Sequence, residues 1–278
     1  MSGAKDLRGA VVAITGGANG IGLEIARLCV ANDATVAIGD YAGDAARSAA
    51  AELGTAAHGY DLDVSNRASY EKFIASVESA HGPIDILINS AGVLWVGAFA
   101  EEPDSAAQRQ FDVNLHGVIH SIKIMAPLMN SRGRGQIITI ASVASLLPVP
   151  GEATYAASKH AVHGYLKSVR EELKRSPVQL TVIMPTVVET TLAAGTSTGA
   201  AKILQPIDVA KAVVKVVGRH RFEVTVPGWV GPVQRFVNLL PQRLRDLVIR
   251  IMVPDQVKLV QRELRQDYED AFFRPPGD

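Results

Sequence analysis

Two hydrophobic rhythms alternate along the chain. Short runs at residues 10–15, 35–40, 56–61, 84–89, 136–140, 179–184 and 222–226 are largely apolar and β-rich, or strand-like. Between them, stretches at 21–31, 42–53, 67–80, 105–129, 154–175 and 208–217 read as helices. Strands that are apolar throughout and separated by helices need cover on both faces, which a parallel sheet provides. Right-handed crossovers then give an α/β, doubly wound (Rossmann-like), mostly parallel seven-stranded sheet, with ligands at the carboxyl ends of its strands. Residues 1–228 are read as one catalytic domain. Residues 229–278 are richer in arginine and glutamine, carry no strand signal, and are read as a helical extension.

Composition narrows the classes. A chain of 278 residues that is 47% hydrophobic can bury the core of a large α/β domain. Its 28 basic and 28 acidic residues balance, which argues against a nucleic-acid surface. The single cysteine, Cys29, excludes a disulfide framework and a cysteine-based zinc site; in its apolar helical run it reads as a buried, inert thiol. The first residues, M-S-G-A-K-D-L-R-G, lack the apolar core of a signal peptide, and no uncharged apolar run has the length of a membrane span. The expectation is a soluble cytoplasmic protein.

The first strand runs into T-G-G-A-N-G-I-G, residues 15–22. Gly16, Gly20 and Gly22 allow a sharp turn and a close approach of backbone to a diphosphate, and the helix that follows offers free N–H groups at its positive end. A glycine pattern alone is weak; here a strand precedes it and a helix follows. Asp40 ends the second strand, eighteen residues past Gly22, where an acid would bind the adenosine ribose hydroxyls. That carboxylate would repel a 2′-phosphate, and no Arg or Lys lies in the loop or directly after Asp40. The cofactor expected is NAD rather than NADP.

Further along, Y-A-A-S-K sets Tyr155 and Lys159 four residues apart, on one face of a helix. An ammonium about 4 Å from a phenol, at an effective dielectric near 20, favours the phenolate by about 4 kcal/mol. Before burial opposes it, that would lower the phenol pKa by as much as roughly three units, towards the range useful for acid/base work. Such a spacing is also common as surface decoration. His116 and His120 lie one helical turn apart, with His160 and His163 on a second helix, but no H-E-x-x-H pattern occurs. They are read as solvated or helix-packing side chains, and no metal is expected.

Together these stretches resemble the short-chain dehydrogenase/reductase family, in its single-domain branch, over roughly residues 7–228; more loosely, they resemble actinobacterial members with a basic, amphipathic C-terminal extension. The likeness rests on several motifs in order: the T-G-G-A-N-G-I-G loop, L-D-V at 62–64, N-S-A-G at 89–92, N-L-H-G from Asn114, I-A-S ending in Ser142, and Y-A-A-S-K. It implies cofactor contacts at Gly16, Asn19, Gly20, Ile21, Gly22, Asp40, Tyr41, Asp63, Val64, Asn89, Ala91 and Gly92. Pro185, Val188 and Thr190 would hold the nicotinamide amide. Ser90 and Thr186 depart from the pattern, standing where the family has asparagine and glycine. The implied catalytic set is Asn114, Ser142, Tyr155 and Lys159. Tyr155 is the acid/base. Lys159 favours its phenolate and binds the nicotinamide ribose, Ser142 polarises the substrate oxygen, and Asn114 holds a water that links Lys159 to solvent. The implied activity is reversible oxidation of an alcohol to a ketone or aldehyde. The alternatives are an NADPH-dependent carbonyl reductase and a catalytically silent dinucleotide-binding regulator.

Residues 186–206 are read as a substrate-side loop and mobile lid carrying Leu192, Ile203 and Leu204. Leu94, Trp95 and Val96, with 146–149, would make an apolar pocket for a lipophilic secondary alcohol. In the tail, Leu244, Leu247, Val248, Ile251 and Met252 form one helical stripe, with Arg243, Arg245 and Arg250 mostly off it. Packing on the domain, closing the pocket or joining subunits of a homodimer or homotetramer ranks first for this stripe. Peripheral contact with an anionic membrane ranks second. Val257, Val260 and Leu264 suggest one more short helix before a frayed end, R-P-P-G-D.

Overall fold

The structure is a computed structural model that describes residues 6–198 and 202–273. Residues 199–201 of the expected lid and the expected frayed end at 274–278 lie outside the described residues. The strands are β1 (Val11–Thr15), β2 (Thr35–Asp40), β3 (Ala57–Asp61), β4 (Ile86–Asn89), β5 (Gly135–Ile140), β6 (Val178–Pro185) and β7 (Glu223–Val226). The interleaved helices are α1 (Gly20–Val30), α2 (Gly43–Leu53), α3 (Arg67–His81), α4 (Asp104–Phe111), α5 (Gly117–Ser131), α6 (Ala153–Glu172) and α7 (Pro206–Val216). Then follow α8 (Val230–Val237), α9 (Gln242–Met252), α10 (Gln256–Leu259) and α11 (Gln266–Phe273).

All seven strands pair in parallel in the order β3-β2-β1-β4-β5-β6-β7. The order reverses between β1 and β4, and a crevice opens at their carboxyl ends. Side chains alternate faces along each strand. Val12 and Ile14 therefore join the core under α1 and α7, with Ile25, Val209 and Val213. Val11 and Ala13 join the opposite core, with Phe73, Met125 and Leu166 from α3, α5 and α6. Cys29 is fully buried in the first core.

The expected helix 105–129 is not continuous. A turn of π-helix at Asp112–His116 separates α4 from α5. The widened turn holds Asn114, which bonds outward to the loop after β4 instead of lying along a regular helix. The expected strand at 84–89 begins only at Ile86. Asp85, just before it, accepts hydrogen bonds from the Val11 amide and from Arg134.

Candidate active site

The carboxyl ends of β1, β2, β4, β5 and β6 open onto one cleft of about 1140 Å³. At one end, β1 turns through the glycine loop into α1. Gly22 is packed so closely that an added Cβ would stand 2.1 Å from the Gly16 carbonyl oxygen. Gly20 turns with φ +54, where a side chain would be strained. Asn19 precedes α1 without a side-chain capping bond, so the first-turn amides keep no side-chain acceptor. That is the donor set an anionic diphosphate needs. Asp40 accepts from the Ala18 amide at 3.1 Å and the Ala42 amide at 3.2 Å, tying the glycine loop to the start of α2. Gly16, Asn19, Gly20, Ile21, Gly22, Asp40, Tyr41, Asp63, Val64, Ala91 and Gly92 all line this end.

Two expected residues lie elsewhere. Asn89 is buried behind the cleft wall, where its amide meets the hydroxyls of Tyr70, Ser121 and Thr139. Asn114 also stands behind the wall. Its amide pairs with both backbone groups of Val93, at 2.8 and 2.9 Å, and donates to Ser158. An added Cβ on Gly92 would lie 3.3 Å from Asn114 Oδ1 and 3.5 Å from Lys159 Nζ, so the two side chains are neighbours across Gly92.

Ser142, Tyr155 and Lys159 line the middle of the cleft. Ser142 follows β5; its Oγ accepts from the Ala144 amide at 3.1 Å. The first turns of α6 carry Tyr155 and Lys159 inward, and both are buried. Lys159 Nζ sits 5.5 Å from the Tyr155 ring centroid and 3.5 Å from the Ile140 carbonyl. The expectation that Lys159 acidifies the phenol needs correction for the protein groups alone. Burial pushes the Tyr155 phenol above its ordinary value, and the charge of Glu152 pushes it further; a hydrogen bond with Ser142 opposes, and Tyr268 adds slightly. The same burial lowers Lys159 to about 8, so its own charge is disfavoured.

Pro185, Val188 and Thr190 line the cleft beyond β6. Thr186 hydrogen-bonds through its amide to Val226 and is not among the described residues with positive φ; the position that lacks glycine makes no use of glycine's freedom. The lid sequence starts as an ordered segment, with Val188 and Leu204 bridged in parallel. Leu204 is buried, whereas Ile203 is exposed. Of the expected apolar wall, Leu94, Leu147 and Val149 line the cleft; Trp95, Val96, Leu146 and Pro148 do not.

Sequence reasoning missed the contribution of the C-terminal segment. Arg265 is fully buried and donates to the carbonyls of Leu94, Leu192 and Ala194 and to Glu269. Gln256 holds both backbone groups of Ser197. Tyr268 lines the cleft and accepts from the Leu94 amide at 2.9 Å. Burial raises Tyr268 to about 12. Glu152, also lining the cleft, is pushed up to about 7 by burial, against the pull of Arg265. The only signal in the sequence was an arginine inside the weak helical pattern near Leu264. Arg109 was missed too: its guanidinium lies 5.9 Å from the Tyr41 ring and 5.5 Å from the Phe272 ring, with Nε buried and unpaired.

The four histidines weighed for a metal are each occupied, His116 with Asp112, His120 with the Val64 carbonyl, His160 with the Ala156 carbonyl and His163 with Glu223. Among the described residues no three His, Cys, Asp or Glu side chains gather as a metal site.

Strand order, glycine loop and crevice define a Rossmann-like, nucleotide-binding oxidoreductase fold. The chain belongs to the short chain dehydrogenase family, which it matches over residues 10–201. It is 34% identical over 213 residues to a 3-alpha-(or 20-beta)-hydroxysteroid dehydrogenase of Mycobacterium tuberculosis, covering 75% of this chain and 82% of that protein. It is 28% identical over 260 residues to dehydrogenase/reductase SDR family member 7B of Rattus norvegicus, covering 86% and 79%. A short chain dehydrogenase/reductase from Burkholderia phymatum, solved in complex with NAD, superposes with a TM-score of 0.78 at 25% identity, covering 84% of this chain and 95% of that one.

Proposed function

We propose that the protein is an NAD(H)-dependent dehydrogenase that interconverts a lipophilic secondary alcohol and its ketone. The observation that carries this reading is the convergence of Ser142, Tyr155 and Lys159 on the cleft that the glycine loop enters. The uncapped start of α1 fits a diphosphate, and Asp40 fits ribose hydroxyls better than a 2′-phosphate. The loop glycines with Asn19 and Ile21, then Asp40, Tyr41, Asp63, Val64, Ala91 and Gly92, would hold the adenosine half. Pro185, Val188, Thr190 and Lys159 would hold the nicotinamide half. When bound, NAD would supply the carbon that takes up hydride and, in its oxidised form, a positive charge that favours a phenolate.

The protein's own groups handle the proton. Tyr155 Oη accepts it from the alcohol, or returns it to the carbonyl. Ser142 Oγ donates to the same substrate oxygen and orients it. Lys159 Nζ compensates the phenolate when it forms. Asn114 fixes the loop carrying Gly92 and Val93, and its place beside Lys159 supports a path for protons to solvent. Leu94, Leu147, Val149 and Leu192 give the substrate end its apolar character. The hydroxysteroid dehydrogenases among the relatives support a substrate of that kind.

One observation favours a second reading, NADPH-dependent carbonyl reduction: the Arg109 guanidinium stands over Tyr41, near the expected adenosine end. Asp40 weighs against it. Titrating NADH and NADPH into the protein, followed by a turnover screen with diverse secondary alcohols including sterols and terpene alcohols, tests both. Tight NADH binding with oxidation of apolar alcohols is expected. Preference for NADPH overturns the cofactor assignment, and cofactor binding without turnover of any alcohol favours the silent regulator.

A further inference from the structure

We propose that the outer face of α8 and α9 is a docking surface for an anionic lipid membrane. Of the first-ranked readings of the stripe, closing the pocket holds for Met252, while packing on the domain does not hold for Leu244, Leu247 and Ile251 within one chain. No residue of α9 is buried, and Leu244, Leu247 and Ile251 face solvent, Ile251 at 72% exposure. Phe236 of α8 and Leu239 in the turn between the helices are exposed apolar side chains as well, at 65% and 82%. Leu244, Leu247 and Ile251, left in water, add no burial to the isolated chain, so this part of the stripe is available to a partner.

Charge points to the kind of partner. Arg243, Arg245 and Arg250 make no ion pair among the described residues. By helical periodicity Arg243 and Arg250 flank the stripe on one side and the half-buried Arg245 on the other, beside Ile249 and Met252, while Asp246 falls on the opposite face. Long cationic side chains beside an apolar stripe lay their stems along it and present their charges to headgroups. A second copy seated on this face about a two-fold axis would bring the arginine rims towards each other with no acid on the face to offset them. A negatively charged bilayer meets both features at once. Among the described residues no helix is long and apolar enough to cross a membrane, so the contact is at the surface.

The same helix also borders the cleft, through Ile249 and Met252. A docked α9 would therefore hold the apolar end of the cleft beside the bilayer. Docking does not depend on the proposed activity, and its test reads binding alone.

The full chain is mixed with vesicles of phosphatidylcholine containing phosphatidylglycerol, or of phosphatidylcholine alone, and floated on a density gradient at low and high salt. Flotation with the anionic vesicles at low salt is expected, with loss in neutral vesicles and at high salt. Arg243→Gln/Arg245→Gln/Arg250→Gln should weaken it on the order of 100-fold, at about tenfold or less per charge. Leu247→Ser/Ile251→Ser should abolish it while circular dichroism and cofactor binding stay unchanged. No flotation of the folded protein at low salt overturns the proposal, as does flotation indifferent to the Leu247/Ile251 pair. A dimer in light scattering that this pair dissociates, with no vesicle binding, assigns the face to a second copy instead.

Discussion

Arg265 Nη2 donates to the Leu94 carbonyl at 2.9 Å, joining positions 171 residues apart in the chain. The same guanidinium holds Leu192 and Ala194, which also line the cleft. Arg265→Leu would strip one buried and two part-buried carbonyls of their donor and should cost about 3 kcal/mol in a urea titration. It should also speed proteolysis of the segment after Thr191 and raise the substrate KM, with cofactor affinity kept. Arg265→Lys should rescue only in part, because an ammonium lacks the planar fork that reaches three carbonyls together. Unchanged proteolysis in Arg265→Leu would show that the segment holds itself.

Tyr155→Phe keeps the ring that packs against Leu94 and Ala144 and removes only the hydroxyl. Turnover should fall by about 10²–10⁴-fold, the usual worth of a positioned acid/base, with cofactor affinity preserved. Near-normal turnover, measured by cofactor absorbance, would remove Tyr155 from the mechanism.

Lys159 is held at about 8, below its ordinary 10.5, because burial disfavours the ammonium. For a lowered value the stabilising contribution is complete above 10.5 and is lost as pH falls through about 8. At pH 7 the folded protein therefore carries the whole cost, on the order of 3 kcal/mol. Lys159→Met should be more stable than the parent at pH 7 by up to that amount, nearly equal to it at pH 10, and inactive. Equal gains at both pH values would assign the effect to packing.

Glu152 shows the opposite sign. Its carboxyl is raised from 4.5 to about 7 by burial, so its contribution is present below 4.5 and lost as pH rises through about 7. Glu152→Gln should raise stability at pH 8 on the order of 3 kcal/mol and change little at pH 4.5. Removing that charge should also shift the limb of kcat/KM that Tyr155 sets, the rising limb in alcohol oxidation, to lower pH, since Glu152 pushes the Tyr155 phenol upward. A pH profile identical to the parent's would show that Glu152 does not act on Tyr155.

Asp40→Ser removes the charge at the end of β2 but leaves a short acceptor for the Ala18 amide. The ratio of NAD to NADP efficiency should fall at least about tenfold, as the repulsion of a 2′-phosphate disappears. A preference that stays fixed would move cofactor choice to Arg109.

The chain's apolar rhythm already contained the sheet, because strands buried on both faces must be apolar throughout, and T-G-G-A-N-G-I-G could be read since only glycine tolerates the Gly16–Gly22 approach. Tyr155 and Lys159 were legible for a local reason: four residues on one helix fix their neighbourhood before any tertiary contact forms. What tertiary structure decided was charge balance and closure. Burial reversed the expected effect on the Tyr155 phenol, and no spacing reports burial. The π-turn that aims Asn114 at Val93 depends on a loop 21 residues away. Tyr268 enters the cleft, and Arg265 ties its lining segments together, from a tail with no strand signal, joining segments too distant for any periodicity to pair. Local sequence sets spacing along an element; the dielectric around a side chain, and its partners from distant segments, exist only once the chain has packed.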